Sequence, residues 1–344
     1  MRVDPFALRL RRPLSTAAGR IDRREGFLVR VERGGDGVVG LGEATPLAGW
    51  TESYEACESA LESVGDRGEE TDPAAPAARH GVELARIEAA ARTADESLAR
   101  YLGGEDAADT VPVNATIGDG SDEEARAAAR EAVADGYPAL KVKVGARPVE
   151  EDIARLSAIR DVVGDDVELR ADANGAWALP EAREFFAAAA DSGLDLAYVE
   201  QPLPADSVAE HEALGAYEVD VALDESLAAV GPDAVLESGV ADVVVCKPMA
   251  LGGPVRTLDF AERAAARGVD VVVTTTIDAV VARTAALHVA AAAPTERACG
   301  LVTGSLLASD LAPDPAPVES GEMSVPDGPG LAGDAFESLR RDGP

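Results

Sequence analysis

Short apolar, β-branched runs alternate with longer Ala-rich, charged stretches from about residue 111 onward. The short runs are typical of strands buried on both faces, and the helical spacing of the longer stretches predicts amphipathic helices. Two clear helical stretches are 121–136 and 148–164, and the first opens with Ser121 and Glu124 in a capping-box pattern. The predicted strands are 111–118, 139–145, 167–174, 196–202, 218–226, 241–248, 269–276 and 298–304.

Eight strands at intervals of roughly 23–29 residues, each followed by a helix, predict a closed parallel barrel of α/β class. A doubly wound open sheet is the competing architecture, and it usually carries a glycine-rich turn after its first strand. Gly118 and Gly120 follow the first predicted strand, but the third glycine of that fingerprint is missing. The pattern therefore favours the barrel, which we assign to residues 111–304.

The first 110 residues have a different pattern. Two β segments, 3–10 and 26–32, are separated by a polar stretch, and helical stretches follow near 52–63 and 74–101. This order predicts a small α+β domain over residues 1–110, in front of the barrel. The Pro- and Asp-rich segment 305–344 is expected to pack back on that domain.

Charge limits the classes of partner. The net charge is −32, spread along the chain, so nucleic acid and anionic membrane surfaces are not expected as partners. The balance of many acids, 28 arginines and three lysines is typical of a protein from a very salty cytoplasm, where ~1 M salt shortens the Debye length to ~3 Å. No apolar run of ~7–15 residues follows the first residues, so a cytoplasmic location is expected.

Carboxylates stand at the ends of three consecutive predicted strands: Asp172, Glu200 and Asp224. The carboxyl ends of barrel strands form one rim, which is where active sites lie. A like-charged pair ~4 Å apart costs about 4 kcal/mol at an effective dielectric near 20, so three such pairs would rival a domain's stability of ~5–15 kcal/mol. A divalent cation would remove that cost, and oxygen ligands favour Mg²⁺, with Mn²⁺ as the alternative.

The three lysines of the chain lie on the same predicted strands. Lys141 and Lys143 are two residues apart, so they share a face of their strand, and Lys247 ends another strand. We expect the two neighbouring ammonium groups to depress each other's pKa. Lysine can release its proton and arginine cannot, so retention of lysine at these positions indicates proton transfer.

Together these groups predict that a lysine removes the proton α to a carboxylate of a small-molecule substrate, while Mg²⁺ stabilises the enediolate. A salt-bridge network of three lysines and three carboxylates without a metal is the structural alternative. A barrel that binds a small carboxylate without turnover is the functional alternative. His80, His211 and His288 are isolated in the sequence and are interpreted as structural or surface residues.

The motifs "KVK", "DAN", "EQP", "DES" and "KP", in this order and at one per strand, resemble those of the enolase superfamily, muconate-cycloisomerase-like subgroup. The resemblance implies a (β/α)7β barrel with a capping domain, and metal ligands Asp172, Glu200 and Asp224. It also implies an acid/base pair of Lys143 and Lys247, with Lys141 and Asn174 in support. The stretch from Ser15 to Arg24 would be a mobile capping loop.

Within the subgroup, "RADANGAW", "LDESL", "VVVCKPMALGG" and "GLVTGSLLASDLAP" are most similar to the o-succinylbenzoate synthases of menaquinone biosynthesis, which dehydrate a cyclohexadiene carboxylate. Val302 and the stretch from Thr274 to Asp278 depart from that pattern where substrate side groups would lie. Racemisation of N-acylamino acids and epimerisation of dipeptides are the nearest alternatives, and muconate cycloisomerisation is a third. An Asp-x-Asp motif for a dipeptide's ammonium is missing near the eighth strand.

Overall fold

An antiparallel sheet and three helices form the amino-terminal part of the chain in this computed structural model, which describes residues 1–16, 19–33, 37–64 and 71–344. The strands are β1 (Arg2–Thr16), β2 (Gly19–Arg33) and β3 (Val38–Ala44), in that order across the sheet. The helices are α1 (Tyr54–Ser63), α2 (Pro76–Ala94) and α3 (Leu98–Gly103). Helix α2 lies directly on β3, because Gly40 and Gly42 have no Cβ that would collide with its backbone.

The first two strands form a much longer hairpin than the sequence predicts. Residues that we expected in a mobile loop belong to β1 and β2, and Leu14 pairs with Ile21. Residues 17 and 18 of the predicted loop lie outside the described residues. Arg20 and Arg23 are exposed strand residues, whereas Arg24 is buried. The loop prediction is therefore wrong for the described part of this stretch, because a hairpin that is solvated on one face accommodates charged residues.

Seven parallel strands form the curved sheet of the barrel. A short strand, β4 (Thr110–Pro112), precedes them. Strands that follow one another in the chain are also neighbours in this sheet. Its members are β5 (Asn114–Ile117), β6 (Ala139–Lys143), β7 (Glu168–Asp172), β8 (Leu196–Glu200), β9 (Val221–Leu223), β10 (Val243–Cys246) and β11 (Asp270–Val273).

The eighth predicted strand closes the sheet without forming a full strand. Cys299 bridges to Val113 beside β5, and Gly300 bridges to Thr274 beside β11, both in parallel orientation. These bridges join the two outer strands, so the α/β barrel with an amino-terminal cap is confirmed. The prediction of a full strand over residues 298–304 is otherwise wrong. The predicted strand 111–118 is divided into β4 and β5, because β4 pairs antiparallel with a carboxy-terminal strand instead of entering the barrel.

Helices cover the outside of the sheet, and α4 begins with the predicted capping box between Ser121 and Glu124. The connection from β8 to β9 is a 3₁₀ helix, Val208–Leu214, where a full helix was expected. The α-helices are α4 (Asp122–Ala134), α5 (Val149–Val163), α6 (Leu179–Asp191), α7 (Glu225–Ala229), α8 (Pro232–Ser238), α9 (Pro248–Leu251), α10 (Pro254–Ala265) and α11 (Val280–Ala292).

The carboxy-terminal segment contains β12 (Val318–Glu319), β13 (Glu322–Ser324) and α12 (Glu337–Arg341). Strand β13 pairs with β4, and Arg340 donates to Glu88 of α2 at 2.6 Å. Leu331, Phe336 and Leu339 share a buried cluster with apolar residues of the first hairpin. The segment therefore contacts both other parts of the chain, while the exact boundaries at residues 110 and 304 stay a prediction.

Candidate active site

Three carboxylates lie at the carboxyl ends of neighbouring barrel strands. Asp172 is the last residue of β7, Glu200 is the last residue of β8, and Asp224 directly follows β9. Asp172 and Glu200 are in register across the parallel pair, so their side chains emerge at one level of the barrel. The three residues are buried, at 0%, 1% and 3% exposure, and a buried carboxylate requires a counter-charge.

Two lysines of β6 provide part of that counter-charge. Lys141 Nζ lies 2.9 Å from Glu200 Oε1 and 3.0 Å from Asp172 Oδ2. Lys143 Nζ lies 2.6 Å from the same Asp172 oxygen and donates to Asn174 Oδ1 at 2.7 Å. The two lysines point into the barrel together, because Val142 between them is fully buried on the opposite face of the strand.

The third lysine pairs with the third carboxylate. Lys247 directly follows β10, and its Nζ contacts both oxygens of Asp224, with Oδ1 at 2.5 Å. The same ammonium lies 3.4 Å from the ring centroid of Trp50, a residue of the amino-terminal domain. All three lysines of the chain therefore contact at least one of the three carboxylates.

Burial and the ion pairs shift the pKa values of these groups in different directions. Burial raises the pKa of Glu200, and the charge of Asp172 raises it further. Burial also raises the pKa of Asp224, whereas at Asp172 the charges of Lys141 and Lys143 outweigh burial and lower the pKa. Asp172 and Glu200 likewise outweigh the effect of burial on Lys141 and hold its pKa well above the usual range, so our expectation of a depressed pKa there is wrong.

The donor set fits a hard divalent cation, since all three carboxylates offer oxygen ligands. Lys141 Nζ is nearly equidistant from Asp172 and Glu200, so these two carboxylates already flank one point. Within the described ranges, no group of three or more His, Cys, Asp or Glu side chains is arranged to hold a metal ion. The three lysines form the salt-bridge network with the carboxylates that the sequence left open as the structural alternative. Asp224 would have to release Lys247 before it could share a cation with Asp172 and Glu200.

Hydrogen bonds that the sequence did not indicate fix the loops of the site. Asn174 has a positive φ of 47° and donates to Glu225 Oε1 at 2.9 Å while it accepts from Lys143. Gln201 has a φ of 40°, and its Oε1 accepts from the backbone N–H groups of Asp224 and Ser226, both at 3.1 Å. Left-handed backbone at non-glycine residues is strained, and here it occurs two residues after Asp172 and one residue after Glu200.

The seventh-strand segment, which departs from the synthase pattern, contacts the amino-terminal domain. Ile277 has a φ of 64°, and its carbonyl accepts from Arg24 Nε at 3.1 Å. Asp278 is buried and accepts from the hydroxyl of Thr276 at 2.5 Å. Val302 is half-buried and packs against the barrel core. Arg24 therefore supports the rim of the barrel from a position that the sequence assigned to a loop.

The histidines take no part in this cluster. His80, His211 and His288 are all buried, at 1%, 1% and 0% exposure, and each has a ring nitrogen close to a backbone carbonyl. They are structural residues, as one of the two interpretations proposed.

A family model described as "Enolase C-terminal domain-like" matches residues 124–335, which contain all six charged residues of the site. The chain belongs to the enolase superfamily. Its curated relatives include the o-succinylbenzoate synthase of Thermobifida fusca, 39% identical over 212 residues, and that of Mycolicibacterium smegmatis, 38% identical over 241 residues. These matches cover 60% and 68% of the present chain. They span 64% of the first relative, slightly less than two thirds of its length, and 72% of the second.

Solved structures of the superfamily share the whole fold. A dipeptide epimerase from Methylococcus capsulatus, complexed with Mg and the dipeptide L-Arg-D-Lys, has a TM-score of 0.86 and 30% identity. That likeness covers 96% of the present chain and 98% of the epimerase. Enzymes with two different reactions thus resemble this superfamily member.

The helices within the described residues do not include a candidate membrane span, since none of them combines sufficient length with sufficient hydrophobicity.

Proposed function

We propose that this chain is an o-succinylbenzoate synthase, a lyase that dehydrates a cyclohexadiene carboxylate to an aromatic product. The observation that carries the proposal is the placement of Lys143 and Lys247 around one carboxylate cluster. Two synthases at 38–39% identity support this reaction over the others of the superfamily.

Lys143 is the proposed base. Its side chain is 33% exposed, compared with 14% for Lys141 and 10% for Lys247, so a substrate can reach it most easily. In the forward step its neutral amine takes the α-proton, and the electron pair of the broken C–H bond moves into the carboxylate as an enediolate. The enediolate electron pair then forms the carbon–carbon double bond as the bond to the β-hydroxyl group breaks. The hydroxyl takes the proton back from the Lys143 ammonium and leaves as water, so Lys143 is again a neutral amine.

The other charged groups hold the substrate's developing charge. Lys247 remains an ammonium and attracts the enediolate oxygens, while Asn174 orients Lys143 through the hydrogen bond at 2.7 Å. Lys141 keeps positive charge beside Asp172 and Glu200. A magnesium ion, or manganese in its place, would be held by Asp172, Glu200 and Asp224 and would supply further stabilisation of negative charge.

Racemisation or epimerisation is the second candidate function, favoured by the likeness to the dipeptide epimerase. It would use the same groups, but Lys143 and Lys247 would both exchange protons, one on each face of the α-carbon. Dehydration needs only one base. The two functions therefore differ in what they require of Lys247: a permanent ammonium in the synthase, and a proton donor and acceptor in the racemase.

The test is to incubate the protein and Mg²⁺ separately with the cyclohexadiene carboxylate and with an N-succinyl amino acid. We expect aromatic absorbance to rise with the first substrate. Loss of optical rotation with the second substrate, and no aromatic product with the first, would favour the racemase. A protein that turns over neither substrate and incorporates no deuterium from D₂O at the α-carbon would be a binder, and the proposal would be wrong.

A further inference from the structure

The amino-terminal domain places one aromatic ring on the ammonium of the barrel's sixth strand. The ring centroid of Trp50 is 3.4 Å from Lys247 Nζ, well within the ~6 Å at which a ring face attracts a cation. The Lys247 side chain is only 10% exposed, so little water competes with the ring. Trp50 is itself half-buried, and none of the motifs that identify the site includes it.

The segment that carries Trp50 has a fixed position. Arg24 donates from Nη2 to the Thr45 carbonyl at 2.8 Å and from Nη1 to the Pro46 carbonyl at 3.1 Å. The backbone N–H of Thr45 also lies 3.4 Å from the sulfur of Met249, two residues after Lys247. These contacts tie the start of the segment to the same loop of the barrel that holds the lysine.

The turn itself is closed by local hydrogen bonds. The backbone N–H of Trp50 donates to the Leu47 carbonyl at 3.0 Å, and the backbone N–H of Leu47 donates to Thr51 Oγ1 at 2.8 Å. The indole is therefore carried by a hydrogen-bonded turn. Its contact with Lys247 follows from how the turn is anchored, and the two residues are 197 positions apart in the sequence.

The Trp50 ring can hold the Lys247 ammonium when the Asp224 carboxylate binds a cation. Asp224 is the present partner of Lys247, yet it is also one of the three proposed cation ligands. A carboxylate shared with a divalent cation attracts an ammonium less strongly. An aromatic face attracts the charge without accepting a proton, so the N–H groups that do not face the ring can point at a substrate.

We propose that Trp50 is a positioning residue that keeps the Lys247 ammonium at the substrate when Asp224 binds a cation. The kinetic part of this inference rests on the proposed function, whereas the contact itself does not. The chain has two tryptophans, and the other, Trp177, packs on Phe185 with ring centroids 4.5 Å apart. Replacement of Trp177 by Phe therefore leaves Trp50 as a single fluorophore beside Lys247.

The first experiment measures the emission of Trp50 in the Trp177→Phe protein. We expect its intensity or wavelength to change when Lys247 is replaced by Met, and to change saturably when Mg²⁺ is added. A matched Trp50→Phe protein, which keeps only Trp177, should show neither change. Trp50 emission that is unaffected both by Mg²⁺ and by Lys247→Met would overturn the inference, whatever reaction the protein catalyses.

The second experiment separates a π contact from a merely apolar wall. Cation–π attraction of ~0.5–2 kcal/mol corresponds to roughly 2–30-fold in rate, so Trp50→Leu should lower kcat about tenfold with little change in KM. Trp50→Phe keeps a ring face and should stay within about threefold of the wild type. Equal losses in the Leu and Phe proteins would contradict the inference. A wild type without turnover would refute the proposed function instead, and the fluorescence result would then decide on Trp50.

Discussion

Glu43 joins the two halves of the molecule through a carboxylate with no solvent exposure. It lies in β3, and its Oε1 accepts from the backbone N–H of Ala279 at 2.8 Å and from the hydroxyl of Thr45 at 2.5 Å. Its Oε2 accepts from the N–H of Ala282 at 2.8 Å. The carboxylate therefore binds the amino-terminal end of α11, beside the rim segment that includes Asp278, and neutralisation of Glu43 should change stability in a measurable way.

Burial raises the pKa of Glu43 from its ordinary value of 4.5 to about 7, and the nearby charge of Asp278 contributes to the increase. A shift of this size corresponds to about 3 kcal/mol at ~1.4 kcal/mol per pKa unit. The folded protein binds the proton more tightly than the unfolded chain does. The associated stability is therefore fully present below pH 4.5 and is lost as the pH rises through 7.

The assay is reversible urea unfolding of the wild type and Glu43→Gln at several pH values between 4.5 and 8. The glutamine protein should be less stable at low pH, because its NH₂ group cannot accept from a backbone N–H. Relative to Glu43→Gln, the free energy of unfolding of the wild type should fall by about 3 kcal/mol as the pH rises, since residue 43 titrates only in the wild type. His80 and Arg24, which face the same cluster, are common to both proteins. Parallel stability profiles would refute the reasoning.

Three further predictions concern the proposed base, a proposed metal ligand and the charge of the chain. Lys143→Arg keeps a cation but cannot release its proton, so turnover should fall below a few per cent while Mg²⁺ affinity and circular dichroism stay nearly unchanged. Glu200→Gln should weaken Mg²⁺ binding and activity together, and an unchanged calorimetric Mg²⁺ titration would argue against the proposed ligands. The melting temperature should rise by several degrees between ~0.1 and ~2 M KCl, because salt screens a net charge of −32; a flat or falling profile would contradict the expected adaptation to salt.

The sequence predicts the barrel and its charged rim well, because both follow from short-range patterns. Strands covered by helices are mostly apolar, so β6 to β11 are visible as separate runs in the sequence. The carboxyl ends of parallel strands share one edge, so residues that end those runs, such as Asp172 and Glu200, must lie near each other. The two strands of the first hairpin were predicted only over residues 3–10 and 26–32, and their extension towards each other was missed, since its charged positions are solvated and resemble a loop.

Contacts between the amino-terminal domain and the barrel were not predictable in this way. Trp50 contacts Lys247, and Glu43 accepts a hydrogen bond from Ala279, 236 positions away in the sequence. Neither contact is indicated by a local sequence pattern. Such contacts depend on how the surfaces of two parts of the chain that are distant in sequence fit together. The raised pKa of Lys141 was missed for a similar reason, because it depends on burial and on two carboxylates, Asp172 and Glu200, from other strands.

The distribution of cations supports the proposal that the rim lysines serve chemistry and not stability alone. Arginines fill the buried structural positions: Arg24 holds three carbonyls at the domain junction, and Arg170, with no exposure, donates to Glu168 and to the Ala298 carbonyl inside the barrel. Had the rim network served stability alone, arginine would suit it equally, since a guanidinium pairs with carboxylates at least as well as an ammonium does. The chain uses lysine only there, against 28 arginines elsewhere. The property that separates the two residues is a releasable proton, which a salt bridge does not need and which the proposed base, Lys143, does need.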